Sequence, residues 1–407
     1  MTSETGKLSR RGVLKGAAAA GAGIAVAAPG LFMPTRFAIG QTAKVKLGLM
    51  LPYTGTYAQL GEAITAGLKL AVLEAGEKLG GREVEYAVVD DESEPAKAPE
   101  NANKLVTRDK VDFLIGTVHS GVAMAMVKVA RDSGTMLIIP NAGADAATGP
   151  LCAPNIFRTS FTNWQPAFPM GKVVADRGQK SAVTLSWKYA AGEESVNGFK
   201  EGFTQAGGKI LKELWLPFPN VEFQPLLTEI ASLKPDVVYV FFAGGGAVKF
   251  VKDYAAAGLK EKIPLVGPGF LTDGTLEAQG DAAQGLETTL HYGDALDLPK
   301  NNAFRAAFKK ATGKEADVYA VQGYDAGQLL VAGLGAVKGD TGSGARKELI
   351  AAMEGASIDS PRGTFTFSKA HNPVQDIYLR KVVGTENKVT GVAHKALSDP
   401  ARGCKMA

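Results

Sequence analysis

Strand-like and helix-like segments alternate along almost the whole chain, which restricts it to layered α/β architectures. Val45–Leu51 reads as a strand, Pro52-Tyr53-Thr54-Gly55 as a turn and Gly61–Leu79 as a helix. A strand over Val84–Val89 then ends in the acidic Asp90-Asp91-Glu92, and a helix over Lys97–Arg108 leads to a strand at Phe113. A second series runs through strand Ser181–Ser186, helix Glu193–Ala206, strand Ile210–Leu216, helix Phe223–Leu233, strand Val237–Phe242, helix Gly246–Ala257 and strand Pro264–Gly267. Successive βα units of this kind predict parallel sheets with helices on both faces. Between the series, Ala142–Pro169 is rich in Gly, Pro, Asn and Thr and predicts an irregular connection. Beyond about His291 the pattern turns to the helices Asn302–Thr312, Tyr319–Val337 and Lys347–Met353. It closes on Gly363–Phe367 and Ile377–Val383, which alternate like antiparallel strands.

The first forty residues read as an address rather than as fold. Ser9-Arg10-Arg11-Gly12-Val13-Leu14-Lys15 is a twin-arginine pattern, and the apolar run Gly16–Ala28 is too short to span a bilayer. Cleavage is expected after Ala25-Val26-Ala27 or after Ala38-Ile39-Gly40, releasing a protein into the periplasm. Residues 1–40 hold five of the 45 basic residues and one of the 41 acidic ones, which leaves 40 of each beyond them. Nucleic acid and anionic membrane therefore have no electrostatic footprint in the mature chain. The remaining length, about 365 residues, exceeds what one core usually serves and predicts two lobes. Cys152 and Cys404 are either one disulfide, expected in an oxidising compartment, or two unpaired thiols.

The segment Val111–Gly143 carries the first functional signal. The strand Phe113–Ile115 runs into Gly116-Thr117-Val118-His119-Ser120, which opens a helix, and the strand Met136–Ile139 ends in Pro140-Asn141-Ala142-Gly143. Two strand ends then present a hydroxyl and backbone N–H groups at a helix N-terminus, a setting that suits a carboxylate. A simpler role for Ser120 is to cap the helix Gly121–Ala130.

Taken in order, several segments resemble the solute-binding proteins of branched-chain amino acid ABC transporters. They are Leu47-Gly48-Leu49-Met50-Leu51-Pro52 with Thr54-Gly55-Thr56-Tyr57-Ala58-Gln59, Val89-Asp90-Asp91, the Gly116…Ser120 loop and Ile139-Pro140-Asn141-Ala142. Phe157-Arg158-Thr159-Ser160, Pro235-Asp236-Val237-Val238, Gln322-Gly323-Tyr324-Asp325 and Gly363-Thr364-Phe365-Thr366-Phe367 continue the series. The resemblance implies a type I periplasmic binding fold, with two Rossmann-like α/β lobes joined by a three-strand hinge and a ligand clamped between them. It places residues 41–161 and 291–365 in an N-terminal lobe, and 162–290 and 366–407 in a C-terminal lobe with a tail.

Carried over by position, Ser120 takes the role of holding the ligand carboxylate, with Asn141 and Gly143 at the same end. The chain departs from the amino acid binders at four points. Gly143 stands where they resemble one another in having Thr, Gly269 where they place a Glu against the ligand ammonium, Leu60 where they have an aromatic residue and Ala243 where they have Tyr. A desolvated ammonium needs a paired charge, so the ligand lacks an amine unless Glu193 or Asp273 supplies one. Trp164, Tyr189, Phe241, Phe242 and Phe270 fall in segments expected to face the cleft; Phe241 and Phe242 point to opposite faces, and the expected ligand contacts here are Trp164, Tyr189, Phe242, Gly269 and Phe270. The chain is also similar to the family's aromatic-acid-binding branch, including its Cys404-Lys405-Met406 tail, and that branch pairs the tail Cys with one placed like Cys152.

Enzyme motifs are missing from the sequence. Ala243-Gly244-Gly245-Gly246-Ala247 lacks the spacing of a dinucleotide or P-loop cradle. His119, His291, His371 and His394 are scattered, without metal-ligand spacing, and no Gly-x-Ser-x-Gly elbow occurs. The expectation is a monomeric receptor without cofactor or metal that binds a small apolar or aromatic carboxylate and delivers it to the permease and ATPase of an ABC importer. A branched-chain amino acid or short-amide receptor of the same fold, and the ligand-binding subunit of a membrane sensor, are the alternatives.

Overall fold

The computed structural model describes residues 43–407; the twin-arginine pattern, the apolar run and both cleavage positions lie outside the described residues. The first sheet and its helices run β1 (Val45–Leu51), α1 (Ala58–Glu74), β2 (Lys78–Leu79), β3 (Arg82–Asp90), α2 (Ala98–Thr107), β4 (Phe113–Ile115), α3 (Ser120–Ser133), β5 (Met136–Ile139), α4 (Asp145–Thr148) and β6 (Ile156–Arg158). The chain continues through α5 (Trp164–Asp176), β7 (Ser181–Trp187), α6 (Ala190–Gln205), β8 (Lys209–Leu216), α7 (Gln224–Leu233), β9 (Val237–Phe241), α8 (Gly244–Ala256), β10 (Leu265–Pro268), α9 (Leu276–Gln279) and β11 (Glu287–Leu290). It returns through α10 (Pro299–Thr312), α11 (Val318–Ala336) and α12 (Arg346–Glu354), with α11 packed on α1. It ends in β12 (Thr366–Phe367), β13 (Pro373–Val383) and β14 (Glu386–Leu397).

The first sheet has the order β2-β3-β1-β4-β5-β6, and the second β12-β13-β11-β10-β9-β7-β8 with β14 on β13. Every residue of β4, β5 and β9 is buried, as parallel strands covered on both faces require. In the first sheet β1 lies between β3 and β4, and in the second β7 lies between β8 and β9. The connections leaving these strands diverge to opposite faces, and the crevice they open at the C-terminal strand ends is where open α/β sheets bind ligands.

The segment expected to be a single helix over Gly61–Leu79 stops at Glu74, because Lys78–Leu79 turns back on Arg82–Glu83 through a two-residue hairpin at Gly80-Gly81. The stretch Ala142–Pro169, expected to be irregular, contains α4, β6 and the start of α5. A three-residue strand is too short for periodicity, and Pro166 and Pro169 disguise α5, although the first-turn position of Pro166 needs no backbone donor.

Strands of the first sheet fall within residues 45–158 and those of the second within 181–397. The chain thus passes between the two layers after β6, after β11 and between α12 and β12. Two buried arginines grip the first crossing. Arg158 donates to the carbonyls of Ala142 (2.8 Å), Ala144 (2.6 Å) and Phe161 (3.2 Å). Arg362 donates to those of Thr159 (2.5 Å) and Ser160 (3.1 Å) while pairing with buried Asp325 at 3.2 Å. The tail touches both layers. Arg402 pairs with Glu201 of α6 (2.8 Å), and Cys404 is bonded to Cys152, between α4 and β6, with Cα atoms 5.6 Å apart. A bridge across 252 residues removes much freedom from the unfolded chain and contributes on the order of 2–4 kcal/mol.

Candidate functional site

At the C-terminal ends of both sheets a narrow cavity lies between the two halves, with about 20 Å³ open to a water-sized sphere. The first half contributes Tyr57, Leu60, Val118, Ser120, Asn141 and Gly143, and the second Tyr189, Ala191, Phe241, Ala243 and Phe270; Phe161 and Asn163 come from the first crossing and Tyr319 from α11. None of these side chains is charged.

One end is a hydrogen-bonding terminus. His119, not Ser120, caps α3: its Nδ1 accepts the Gly121 N–H at 3.1 Å. Burial lowers the His119 pKa to about 4, so the imidazole is neutral and Nδ1 is free to accept. Ser120 is thereby released from capping. Its hydroxyl accepts from the Asn163 amide (3.4 Å) and keeps its own proton to donate. The first-turn N–H groups of α3 lack helical partners, and the helix dipole adds positive potential there. Asn163 is itself oriented by Glu194 Oε2 (2.7 Å) and by its N–H donating to the Gly143 carbonyl (2.8 Å). A Cβ at Gly143 would overlap Asn163 Oδ1 and come within 2.6 Å of Phe161, so the Thr of the amino acid binders has no room. Asn141 lines the cavity, but its amide is committed to Gln322 Oε1 at 2.6 Å.

The rest of the cavity is aromatic. Phe161 lies 4.6 Å from Phe270, and Phe241 lies 6.3 Å from Phe270 and 6.2 Å from Tyr189, between ring centroids. Tyr189 stacks on His119 at 4.7 Å, and its hydroxyl meets that of Tyr57 at 2.9 Å, tying the two halves together. Burial raises the pKa of Tyr57, Tyr189 and Tyr319, so all three remain protonated. Phe218 closes over Tyr57, His119 and Tyr189 at centroid distances of 5.5, 4.9 and 5.2 Å.

Among the sequence expectations, Ser120, Asn141, Gly143, Tyr189 and Phe270 converge on this cavity, and three residues do not. Phe242 is turned into the core against Trp187, Phe223 and Phe250, and it is Phe241, the last residue of β9, that faces inward. Trp164 stacks on Phe168 and donates to Glu201 (2.9 Å), lining a separate recess with Asp145, Glu194, Asp399 and Arg402. Gly269 stands behind the wall, where a Cβ would overlap Arg380 Nη2 and lie 2.7 Å from Asp273 Oδ2. Neither proposed substitute acid is available for an ammonium. Asp273 is bound to Arg380 through contacts of 2.7 and 3.2 Å, and Glu193 is exposed and outside the cavity wall. Tyr57, Phe161, Asn163 and Tyr319 were not singled out as ligand contacts from sequence. Two of them sit in the crossing that Pro166 and Pro169 obscure.

The acidic end of β3 is structural. Asp90 accepts from the Tyr53 N–H (2.8 Å) and the Thr54 hydroxyl (2.7 Å), while buried Asp91 accepts from the Ser93 N–H (2.8 Å) and the Thr117 hydroxyl. Burial raises the Asp91 pKa to about 6, against the lowering effect of those hydrogen bonds. The folded value lies above the unfolded value of about 4. Protonation therefore favours folding: the contribution is full below pH ~4 and is lost as pH rises through about 6. Wild-type protein should gain about 1 kcal/mol from this group between pH 8 and pH 5. Asp91→Asn, whose amide satisfies the same neighbours, should lack that gain when urea unfolding is measured at both pH values.

A model of the periplasmic binding protein family matches residues 44–387. A crystal structure of an ABC transporter solute-binding protein from R. palustris, in complex with benzoate, is 57% identical with a TM-score of 0.87, covering 89% of this chain and 100% of that one. Another, from Rhodopseudomonas palustris BisB5 in complex with 3,4-dihydroxybenzoic acid, is 34% identical with a TM-score of 0.83, covering 88% and 99%. The Leu/Ile/Val-binding protein homolog 6 of Brucella melitensis biotype 1 is 30% identical over 350 residues, 84% of this chain and 88% of that protein.

Proposed function

The chain belongs to the periplasmic binding protein family, and from that premise we propose that it is the substrate-binding component of an ABC importer for benzoate-class aromatic acids. The observation that carries this reading is the uncharged aromatic cavity with one anion-holding end. The α3 terminus and the Ser120 hydroxyl hold the carboxylate, Asn163 positions that hydroxyl, and Phe161, Phe241, Phe270 and Tyr189 cover the ring. A zwitterionic amino acid would bury its ammonium against no free carboxylate, at a cost of several kcal/mol. The bound acids of the two solved relatives support the same class.

The cycle is hinge closure. Ligand held at Ser120 recruits the second half, and contacts made only on closure favour that state. They include the Tyr57–Tyr189 hydroxyl pair and the Asp145 N–H donating to Glu194 Oε2 at 3.0 Å. The closed form then docks as a monomer on a membrane permease served by an ATPase. Export to the periplasm follows the twin-arginine route.

Thermal and urea melts with benzoate, hydroxybenzoates and leucine test the ligand class. An acid at a hundredfold excess over its Kd should add about 2.7 kcal/mol of stability, and leucine should add none. Stronger stabilisation by leucine than by every aromatic acid would return the chain to the branched-chain amino acid reading.

A further inference from the structure

Three phenols meet in the cavity, and one differs from the others. Tyr57 and Tyr189 satisfy each other at 2.9 Å. Tyr319, the second residue of α11, is 1% exposed and lines the cavity, and its hydroxyl has no hydrogen-bond partner among the described residues. A buried hydroxyl left unmet costs about 1–3 kcal/mol, whereas a phenylalanine would fill the same wall without that cost. The hydroxyl therefore has the features of a group awaiting a ligand atom.

The chemistry of that atom follows from the surroundings. Tyr319 lies 6.4 Å from Phe270, ring to ring, and within electrostatic reach of the Asp273 and Asp317 carboxylates, with Arg380 opposing them. Arg380 at this end is already bound to Asp273 and none of the cavity side chains is a cation, so the ligand carboxylate belongs at the α3 terminus and a neutral group belongs beside Tyr319. In the Tyr57–Tyr189 pair one hydroxyl donates and the other accepts, which leaves one further proton unspent near the same wall. A ring hydroxyl can accept from one phenol and donate to another; a bare C–H edge can do neither.

We propose that Tyr319 is a specificity-determining residue that selects a ring hydroxyl remote from the carboxylate, making meta- or para-hydroxybenzoates the preferred ligands over unsubstituted benzoate. This rests on the aromatic-acid reading above. A site built to bond a ligand hydroxyl rejects the analogue lacking it far more strongly than an apolar pocket rejects a missing methylene.

Calorimetric titration of the mature protein and of Tyr319→Phe with benzoate and the 2-, 3- and 4-hydroxybenzoates tests it. Wild type should bind the 3- or 4-hydroxy acid at least ~10-fold more tightly than benzoate or the 2-hydroxy acid, whose hydroxyl lies beside the carboxylate. Tyr319→Phe should lose that ratio while its Kd for benzoate stays within about 2-fold or improves. Tighter binding of benzoate by wild type, or a ratio that survives in Tyr319→Phe, overturns the assignment while leaving the aromatic-acid reading intact. Binding of leucine with no response to any of the four acids overturns both. Unchanged benzoate affinity also shows that Tyr319→Phe has folded.

Discussion

Placing a glutamate at Gly269 is expected to cost about 3–5 kcal/mol of stability and to create no amino acid site. The added Cβ alone would overlap the Arg380 guanidinium and crowd Asp273, two fully buried groups already bound to each other. A second carboxylate there meets one cation shared with an existing anion, which is the condition under which a buried charge is left unpaired. Asp273→Ala should cost a similar amount for the converse reason, since Arg380 would keep only the Tyr292 carbonyl (2.7 Å) and the Thr288 hydroxyl (2.9 Å). In Gly269→Glu/Asp273→Ala the new carboxylate can take the place of the lost one on Arg380. The double variant should therefore be more stable than the sum of the singles by 1–2 kcal/mol or more. Urea unfolding of the four proteins measures the coupling. A Gly269→Glu protein as stable as wild type that gains leucine binding would show that the space behind the wall is free, and would remove the main argument against an amine-bearing ligand.

Gly269 also shows how far the sequence could be read. The absence of a glutamate was visible in the letters, but its cause was not, because Arg380 arrives from β13, more than a hundred residues away. The central strands were legible for a local reason: burial on both faces makes β4, β5 and β9 continuous apolar runs. Ser120 was legible because a strand end, a turn and a helix start are adjacent in sequence. What a one-residue register decides was less accessible. β9 ends at Phe241, so Phe241 faces the ligand side and Phe242 the core. The elements β6 and α5 stayed hidden because one is three residues long and the other carries two prolines. Asn163 and Phe161 were hidden with them, since they gain a role only when the crossing is folded against α3 and Phe270. Tyr319 read as an ordinary first-turn residue of a long helix, and only the closed cavity distinguishes it.

Substitutions at Ser120 should separate the fold from the grip more sharply than any others in the cavity. Since His119 caps α3, Ser120→Ala removes no cap and should leave stability nearly unchanged. It deletes the hydroxyl that donates to a charged oxygen, a bond of about 1.5–3 kcal/mol, so affinity for benzoate-class acids should fall roughly 10- to 100-fold. Ser120→Asp goes further. A carboxylate in the first turn interacts favourably with the helix dipole, so the protein should still fold. Facing the ligand's own carboxylate in a cavity without a cation, however, it imposes like-charge repulsion of several kcal/mol. Binding should weaken by at least ~100-fold, and by more at pH 8 than at pH 5, where protonation of either acid relieves the repulsion. Titration calorimetry at the two pH values, beside urea melts of the free proteins, gives both readouts. Wild-type affinity in Ser120→Asp at pH 8 would place the carboxylate elsewhere in the cavity. Loss of folding in Ser120→Ala would mean that the residue supports α3 after all. Retained stability with graded loss of acid binding is the pattern that a neutral, helix-terminal anion grip requires.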